Sequence, residues 1–595
     1  MDARRSATRI TAALLSSLCL ASCGGNGSTN HGAVPASPQL RALLQQRIKH
    51  VFVIVQENHS FDQYFGTYPG AENYGTALAK AHGLKQWDPI GKQYVSPYKI
   101  TDPDINSAPT NARAFQEAAI DGGNMDNFVN GEELYASSQP ITPPNPNGVT
   151  TATAATQKYG LMTMANYDCD TLPFLWKYAQ TFTLFDNYFQ ADTGPSSLGN
   201  MEVFAAQIGQ TEAAQGGQAS NQNASAIGDP LSNDDDPAYG PFSKDQQTPQ
   251  TYATMPVLLD PTADGTVASA ATSGQYPNII ADLQAEAGSG RPSISWGWYQ
   301  EGFTGDPNQG LPDYSAHHNM PQYFDYITQN NAFWQNVHGT AALDAAIVGN
   351  ALPPSGVFYI KGGNDNPYGW KPAAATTPTA DGAGTVAPGT YVGDDDHAGS
   401  GSSDHQLGEA FVAHWVNEIA NSAYWNDSAI IITWDDSGGF YDHVPPPSFE
   451  SCPDGNPCGD GPRLPMLVIS PYAKNGAIVH DLNDSNSVPK FIETVFNLPA
   501  LSSLPDEAKY MPQGPRDGNA QLGDLTGAFD IAKLSGGAAP ISAAAASIPN
   551  YDVFPPAMSC KTLGLTPIAI PTTPPAGYVP RAVIRRMPAG AEKDD

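Results

Sequence analysis

The chain has 595 residues, with 59 acidic and 28 basic side chains and a formal net charge of −31. This length allows one large α/β domain with insertions or two smaller domains. The excess of acidic residues argues against nucleic acid as a partner, because binding to nucleic acid needs basic patches that neutralise phosphates.

The first 23 residues have the pattern of an export signal. Arginines precede an uncharged apolar stretch, Ile10 to Ser22, which is too short to span a bilayer. It ends in Leu20-Ala21-Ser22-Cys23, which resembles the lipobox of bacterial lipoproteins, and residues 24–45 follow as a flexible tether. The resemblance implies lipid on Cys23 and an exported, membrane-anchored protein that faces the periplasm or the cell surface. An ordinary cleaved signal peptide is the alternative.

The folded part begins with a continuous apolar run, Val51-Phe52-Val53-Ile54-Val55, which predicts a β-strand. Similar runs recur at residues 429–434 and 466–469, and residues 409–419 carry apolar side chains at helical spacing. Strands that are apolar throughout are typical of a parallel sheet covered on both faces. The sequence therefore predicts an α/β layer fold.

The predicted catalytic domain covers residues 46–535. Two polar stretches, 210–251 and 371–396, are predicted to be surface excursions. Residues 536–595 are rich in Ala and Pro and are predicted to wrap the surface or to be partly disordered. The cysteines available for an oxidising compartment are Cys169, Cys452, Cys458 and Cys560, and a disulfide between Cys452 and Cys458 would close a turn-rich loop.

Two acidic segments follow predicted strands, at the edge where open α/β sheets bind ligands. The first is Glu57-Asn58, whose oxygens suit a cation, although Asn58 or Ser60 also suits a helix N-cap. The second is Asp435-Asp436, whose charges repel each other unless a cation lies nearby. A solvated acidic turn is the alternative for this second segment.

A third segment, Thr193-Gly194-Pro195-Ser196, predicts a sharp turn before a helix over residues 200–207. A serine in this position can be activated by a metal ion, while the N-terminal amides of the helix bind phosphate oxygens. A plain turn with a serine cap is the alternative.

Together the three segments resemble the bacterial phosphoesterase family that contains phospholipases C and certain acid phosphatases. The matching motifs lie at residues 57–66, 193–196 and 435–447, with supporting pieces at 295–302 and 463–471. The resemblance implies an alkaline-phosphatase-like α/β/α sandwich with a mostly parallel central sheet and long loop insertions. It also implies hydrolysis of phosphate esters, with phospholipids among the candidate substrates, through a phosphoserine intermediate.

The resemblance also assigns roles to individual side chains. One divalent metal ion would be held by Glu57, Asn58, Asp435 and Asp436. The nucleophile would be Ser196, and the catalytic histidine would be His397 or, as an alternative, His405. A further histidine that lines the substrate pocket would be His317 or His318. His443 is also predicted to lie at the substrate site, either as a ligand or as a residue that orients a ligand. The remaining histidines considered are predicted to have no catalytic role: His50, His59, His338, His414 and His480.

The chain departs from the family pattern in three places. Ser197-Leu198-Gly199-Asn200 stands where phospholipases often have His-Pro-Asn-Arg, and Asp436 stands where the acidic pair usually ends in Glu. Where the family has a histidine, this chain offers Asn106, Ser107 and Asn111. These departures leave the substrate head group and the metal open. A non-catalytic surface lipoprotein of the same fold, binding a ligand or partner, is the alternative function.

Overall fold

The computed structural model describes most of the chain. The described residues are 32–101, 108–138, 156–209, 231, 233–237, 246–247, 249–260, 279–306, 314–363, 367–368, 370, 393–398, 404–447, 449, 459–509 and 515–578. The predicted export signal with Cys23 lies outside these residues, and so do Asn106, Ser107, Cys452 and Cys458.

The described residues form sixteen β-strands. In chain order, β1 to β16 are His50–Gln56, Gln86–Asp88, Gln93–Val95, Tyr98–Lys99, Ala165–Asn166, Thr183–Phe185, Tyr188–Phe189, Asp236–Pro237, Gln246–Gln247, Ser295–Gln300, Val337–His338, Gly356–Lys361, Ser428–Trp434, Met466–Ile469, Ala477–Val479 and Asn483–Asp484.

The described residues also form eighteen α-helices, several of a single turn. In chain order, α1 to α18 are Pro38–Arg47, Phe61–Phe65, Ala77–His82, Arg113–Ile120, Phe128–Ala136, Gln157–Met162, Pro173–Thr181, Ser196–Ala205, Met255–Leu259, Ile279–Ala287, Asp325–Thr328, Asn331–Trp334, Thr340–Val348, His405–Ala420, Ser487–Phe496, Ile531–Leu534, Ala543–Ala546 and Cys560–Leu563. None of these helices is long and apolar enough to cross a membrane.

Eight strands form one sheet, in the order β11-β10-β12-β1-β13-β14-β6-β15. Strand β1 lies between β12 and β13 and runs parallel to both. Strand β14 is antiparallel to its two neighbours, β13 and β6, and the other pairs are parallel. The predicted α/β fold with a mostly parallel central sheet is therefore confirmed.

Both faces of this sheet are covered by apolar side chains. In β1, Phe52 and Ile54 belong to one apolar cluster, whereas Val51, Val53 and Val55 belong to the cluster on the other face. Burial on both faces explains why the strand is apolar at every position.

The predicted strands and the predicted helix are all present. Residues 429–434 lie in β13, and residues 409–419 lie in α14. Residues 466–469 form β14, but this strand is antiparallel to β13. A continuous apolar run reports burial on both faces, and it does not report the direction of the strand.

The prediction that residues 371–396 form a surface excursion is wrong for residues 394–396. Asp394, Asp395 and Asp396 are at most 1% exposed. The carbonyl oxygen of Asp395 accepts a hydrogen bond from the main-chain N–H of Glu57 at 2.9 Å, directly after β1. This acidic stretch therefore packs against the end of the central strand, where its main chain is satisfied by hydrogen bonds.

The C-terminal segment, where it is described, packs on the catalytic domain. Main-chain hydrogen bonds join Ile541 to Pro471 at 2.8 Å and Ile568 to Thr67 at 2.9 Å. A disulfide joins Cys560 to Cys169 across 391 residues of sequence. The segment is therefore tied covalently to the loop that precedes α7.

We expect Cys560→Ser to lower the free energy of unfolding by about 2–5 kcal/mol, because a disulfide that closes a long loop restricts the unfolded chain. Cys169→Ser should cause a similar loss, and the double variant should lose little more. Denaturant unfolding under oxidising conditions measures the effect. Equal stability of wild type and Cys560→Ser would show that noncovalent contacts alone hold the C-terminal segment.

Candidate active site

The loops after β1 and β13 lie side by side because these strands are parallel neighbours. The main-chain N–H of Asp435 donates to the carbonyl oxygen of Gln56 at 3.0 Å. The N–H of Asn58 donates to Asp435 Oδ1 at 3.2 Å. Glu57 and Asp436 complete the group, and all four predicted metal ligands are buried. The two acidic segments of the sequence therefore meet at one edge of the sheet.

Asn58 does not cap the following helix. Ser60 fills that position, since its Oγ accepts a hydrogen bond from the N–H of Gln63 at 3.2 Å. Asn58 has a φ of 54°, in the left-handed region that asparagine tolerates better than most residues. Its side-chain oxygen accepts a hydrogen bond from Ser196. The turn after β1 thus presents Asn58 to the predicted nucleophile.

Ser196 is the first residue of α8, which begins four residues before the predicted start at residue 200. Its Oγ lies 2.9 Å from Asn58 Oδ1 and 2.9 Å from Asp436 Oδ2. A hydroxyl has one hydrogen to donate and two lone pairs, so only one of these bonds forms at a time. The predicted nucleophile therefore contacts two predicted metal ligands.

The first turn of α8 is pressed against the loop after β13. A Cβ on Gly199 would lie 1.9 Å from the carbonyl oxygen of Asp435, so only glycine fits there. Asn200 Nδ2 donates to the carbonyl oxygen of Ser196 at 3.0 Å and to Asp435 Oδ2 at 2.9 Å. Gly199 and Asn200, which replace other residues of the family motif, thus fix Ser196 relative to the carboxylates.

Lys361, at the end of β12, was not predicted from the sequence. Its Nζ donates to Asp435 Oδ2 at 2.9 Å and pairs with Glu57 Oε1, and the residue is 1% exposed. Burial acts to lower the pKa of Lys361, but the attraction of Asp435 and Glu57 outweighs it and raises that pKa. The one signal in the sequence is a lysine that ends the apolar run of residues 357–360.

The donor set fits a divalent cation. The carboxylates of Glu57, Asp435 and Asp436 are all buried, and Lys361 pairs with two of them, Glu57 and Asp435. Burial, followed by repulsion from Asp435, raises the pKa of both Glu57 and Asp436 well above the usual value. Glu57 Oε2 has no hydrogen-bond partner among the described residues. A cation beside these oxygens would stabilise their charged forms.

His397 is the histidine nearer to Ser196 in the hydrogen-bond network. Its Nε2 lies 2.8 Å from Asn58 Nδ2, and its Nδ1 has no hydrogen-bond partner among the described residues. His405 Nδ1 instead lies 2.9 Å from Asp396 Oδ1. Burial lowers the pKa of His405 to about 3. Of the two alternatives left by the sequence, the geometry therefore favours His397.

His317 and His318 lie in the 3₁₀ helix Ala316–His318, and His318 lies beside the acidic group. His318 Nδ1 lies 3.2 Å from Glu57 Oε1, and one ligand atom each of Glu57, His318 and Asp435 fall within 4.8 Å of one another. Burial lowers the pKa of His318 well below its usual value. His318 is thus placed as a further nitrogen donor at the same site.

His443 lies in a separate network of charged side chains. Its Nδ1 lies 2.7 Å from Asp62 Oδ2 and its Nε2 lies 3.2 Å from Glu72 Oε1, while Arg463 also pairs with Asp62 at 2.8 Å. Burial acts to lower the pKa of His443, but Asp62 and Glu72 raise it to about 9. His443 is thus held by Asp62 and Glu72, and its contact with substrate stays a prediction.

Two more polar side chains reach the site. Asn111 Nδ2 donates to Asp436 Oδ2 at 3.2 Å, so this asparagine contacts a predicted metal ligand. Asp234 Oδ1 accepts a hydrogen bond from the main-chain N–H of Ser197 at 2.8 Å. The N-terminus of a helix favours an anion. At the N-terminus of α8, the carboxylate of Asp234 occupies this position.

We expect Lys361→Met to lower the free energy of unfolding of the metal-free protein by about 3–5 kcal/mol, because it leaves the buried carboxylates of Glu57 and Asp435 without their cation. Added divalent metal should then raise the melting temperature more than it does in wild type. Lys361→Arg, which keeps the charge, is the matched control. Unchanged stability of Lys361→Met without metal would contradict this role of the lysine.

Comparisons with known proteins agree with the motifs. The model of the Phosphoesterase family matches residues 48–499. A non-hemolytic phospholipase C of Burkholderia pseudomallei is 24% identical over 531 residues, which cover 85% of this chain and 62% of that protein. A non-hemolytic phospholipase C of Pseudomonas aeruginosa is also 24% identical, over 82% of this chain and 57% of that protein.

A third relative is covered over more of its length. Phospholipase C B of Mycobacterium tuberculosis is 23% identical, over 82% of this chain and 78% of that protein. The chain thus spans about six tenths of the first two relatives and about eight tenths of the third. Among solved structures, a phosphonate monoester hydrolase from Silicibacter pomeroyi aligns over 55% of this chain and 69% of that one, with a TM-score of 0.21 and 13% identity.

Proposed function

The chain belongs to the Phosphoesterase family, and we propose that it hydrolyses phosphate esters with Ser196 as the nucleophile. The observation that supports this proposal best is the pair of 2.9 Å contacts from Ser196 Oγ to Asn58 and Asp436, inside a buried acidic group. An ordinary N-cap serine would have no reason to contact two side chains from different strand ends.

We assign the metal site to Glu57, Asn58, Asp435 and Asp436, with His318 as a neighbouring donor. One bound divalent cation would lower the pKa of the serine hydroxyl and offset negative charge on the phosphoryl oxygens. The protein keeps these donors in place through the sheet pairing of β1 with β13 and through the hydrogen bonds from Lys361 and Asn200 to Asp435.

The reaction consists of two displacements. Ser196 Oγ loses its proton to solvent and forms a bond to phosphorus as the bond to the alcohol oxygen of the ester breaks, and the departing oxygen takes a proton from His397. Water then gives a proton back to His397 and attacks phosphorus, so that the bond to Ser196 Oγ breaks and phosphate or its monoester leaves. The phosphoryl oxygens face the first turn of α8, where they compete with the carboxylate of Asp234 for main-chain N–H groups.

Turnover of two chromogenic substrates tests this proposal. The purified, metal-loaded protein should hydrolyse p-nitrophenyl phosphate, a monoester, or p-nitrophenyl phosphorylcholine, a diester with the head group of a phospholipid. The preferred ester distinguishes an acid phosphatase from a phospholipase C. Failure to hydrolyse either ester, with metal bound in full, would contradict the proposal and favour the non-catalytic lipoprotein.

We also propose that the protein is exported and held at a membrane by lipid on Cys23. The lipobox-like sequence around Cys23 motivates this proposal. The disulfide between Cys169 and Cys560 supports it, since such bonds persist in oxidising compartments such as the periplasm or the cell surface.

We expect Cys23→Ser to move the protein from the membrane fraction to the soluble fraction, or to leave its precursor unprocessed, because stable anchoring needs the acyl chains that the cysteine would carry. Cell fractionation, with mass spectrometry of the N-terminus, measures this. Membrane retention of Cys23→Ser, together with an unlipidated N-terminus in wild type, would contradict the anchor.

A further inference from the structure

Three buried side chains form a second group with metal-binding character next to the candidate active site. His59 directly follows Asn58, Asp396 directly precedes His397, and His405 begins α14. All three side chains are at most 1% exposed. One ligand atom from each falls within 4.8 Å of the others. The group thus joins three separate segments of the chain: the turn after β1, residues 393–398 and the start of α14.

The spacing of the three atoms suits a tetrahedral ion. His59 Nε2 lies 3.2 Å from His405 Nδ1 and 3.8 Å from Asp396 Oδ1, and His405 Nδ1 lies 2.9 Å from Asp396 Oδ1. Bonds of about 2.0–2.1 Å from a zinc ion give tetrahedron edges of about 3.3–3.4 Å. Small adjustments of the three side chains would therefore bring all three atoms into coordination distance.

His59 Nε2 lies against the other two members of the group. It contacts the carbonyl oxygen of Asp396 at 2.8 Å and His405 Nδ1 at 3.2 Å. The other ring nitrogen, Nδ1, contacts the side-chain amide of Gln63. When Nδ1 donates to the Gln63 oxygen, Nε2 offers a lone pair to the group, and a cation there would offset the repulsion between Nε2 and the carbonyl oxygen. A metal-binding histidine usually donates its other ring N–H to an oxygen acceptor in this way.

Within the described part of the chain, the carboxylate of Asp396 pairs with the rings of His59 and His405 and with no permanent cation. Its carboxylate accepts hydrogen bonds from Tyr64 Oη and from Trp434 Nε1, both at 2.9 Å. Among the described residues, no lysine or arginine forms an ion pair with it. A buried carboxylate without a cation is costly, so a positive charge at this position would stabilise the fold.

We propose that His59 Nε2, Asp396 Oδ1 and His405 Nδ1 bind a second metal ion, of the zinc class, with a structural role. Two imidazole nitrogens and one carboxylate oxygen are donors that suit zinc. The ion ties residues 393–398 and the start of α14 to the turn after β1. It thereby positions Asn58 and His397, which flank its ligands in sequence. The site shares no ligand with the candidate catalytic metal, so it stands independently of the proposed function.

Metal content tests the second site, and Asp435→Ala isolates it by disabling the candidate catalytic site. After incubation with zinc and desalting, Asp435→Ala should keep one ion per chain by mass spectrometric metal analysis. Addition of His405→Gln should reduce this to none. Addition of His414→Gln instead, at a buried histidine in the same helix that contacts Asp344, should leave the ion in place. An Asp435→Ala protein without zinc, or one whose zinc survives His405→Gln, would overturn the proposal.

A spectroscopic measurement covers the case in which His405→Gln does not fold. Cobalt-loaded Asp435→Ala should show the intense visible bands of a tetrahedral cobalt ion with nitrogen ligands. Their absence, or weak octahedral bands alone, would also overturn the proposal. Wild type could also bind a single ion that is lost in Asp435→Ala. That result would overturn the second site and leave the assignment of the catalytic metal intact.

Discussion

We expect Ser196→Ala to reduce kcat by about 10⁴-fold or more, because it removes the atom that forms the bond to phosphorus. Metal content should stay within error of wild type, since the carboxylates of Glu57, Asp435 and Asp436 remain. Steady-state kinetics on the better of the two p-nitrophenyl esters, with metal analysis of the same sample, measure both quantities.

Ser197→Ala is the matched control for this variant. Ser197 Oγ donates to the carbonyl oxygen of His317 at 3.3 Å, and a long hydrogen bond of this kind is worth about 1 kcal/mol. We therefore expect Ser197→Ala to change kcat less than about 10-fold. A larger loss of turnover in Ser197→Ala than in Ser196→Ala would show that Ser196 is not the nucleophile.

We expect Asp435→Ala to release one metal ion per chain and to abolish turnover with it. Asp435 Oδ2 accepts from Lys361 and Asn200, and Oδ1 accepts from the N–H of Asn58. Loss of this carboxylate therefore removes a predicted metal ligand and the hydrogen-bond acceptor of these three neighbours. Breaking the buried ion pair with Lys361 should also cost about 3–5 kcal/mol of stability. Metal analysis, turnover and denaturant unfolding measure the three effects.

Asp427→Ala is the control, because Asp427 pairs with His50 at 2.9 Å at the opposite end of β1 and β13. This pair is partly exposed, so its loss should cost at most about 1 kcal/mol and leave metal content and turnover unchanged. Full metal content together with normal turnover in Asp435→Ala would show that the metal lies elsewhere.

The sequence was sufficient to locate β1 and β13 because strands buried on both faces must be apolar at every position. The loops that follow them, Glu57-Asn58 and Asp435-Asp436, then had to meet, since parallel neighbours end at the same edge of a sheet. Ser196 was placed by its motif, and the structure brings it to these loops. The signals for these segments, which are continuous apolar runs and a short motif, lie in adjacent residues of the sequence.

Other features depended on tertiary contacts that leave no local pattern. Lys361 was missed because a lysine at the end of a strand is ordinary until two carboxylates surround it. Asp396 was assigned to a surface excursion by composition, yet hydrogen bonds from Tyr64 and Trp434 allow it to be buried. The pairing of Cys169 with Cys560 depends on the path of the whole chain.

Trapping of the phosphorylated intermediate tests most directly whether Ser196 carries the phosphoryl group. The metal-loaded protein is mixed with its preferred ester, quenched in acid during turnover and digested for peptide mass spectrometry. We predict a phosphorylated peptide modified at Ser196, which is absent from Ser196→Ala. Phosphate on Ser197, or rapid turnover without any phosphopeptide across the quench times, would contradict the account.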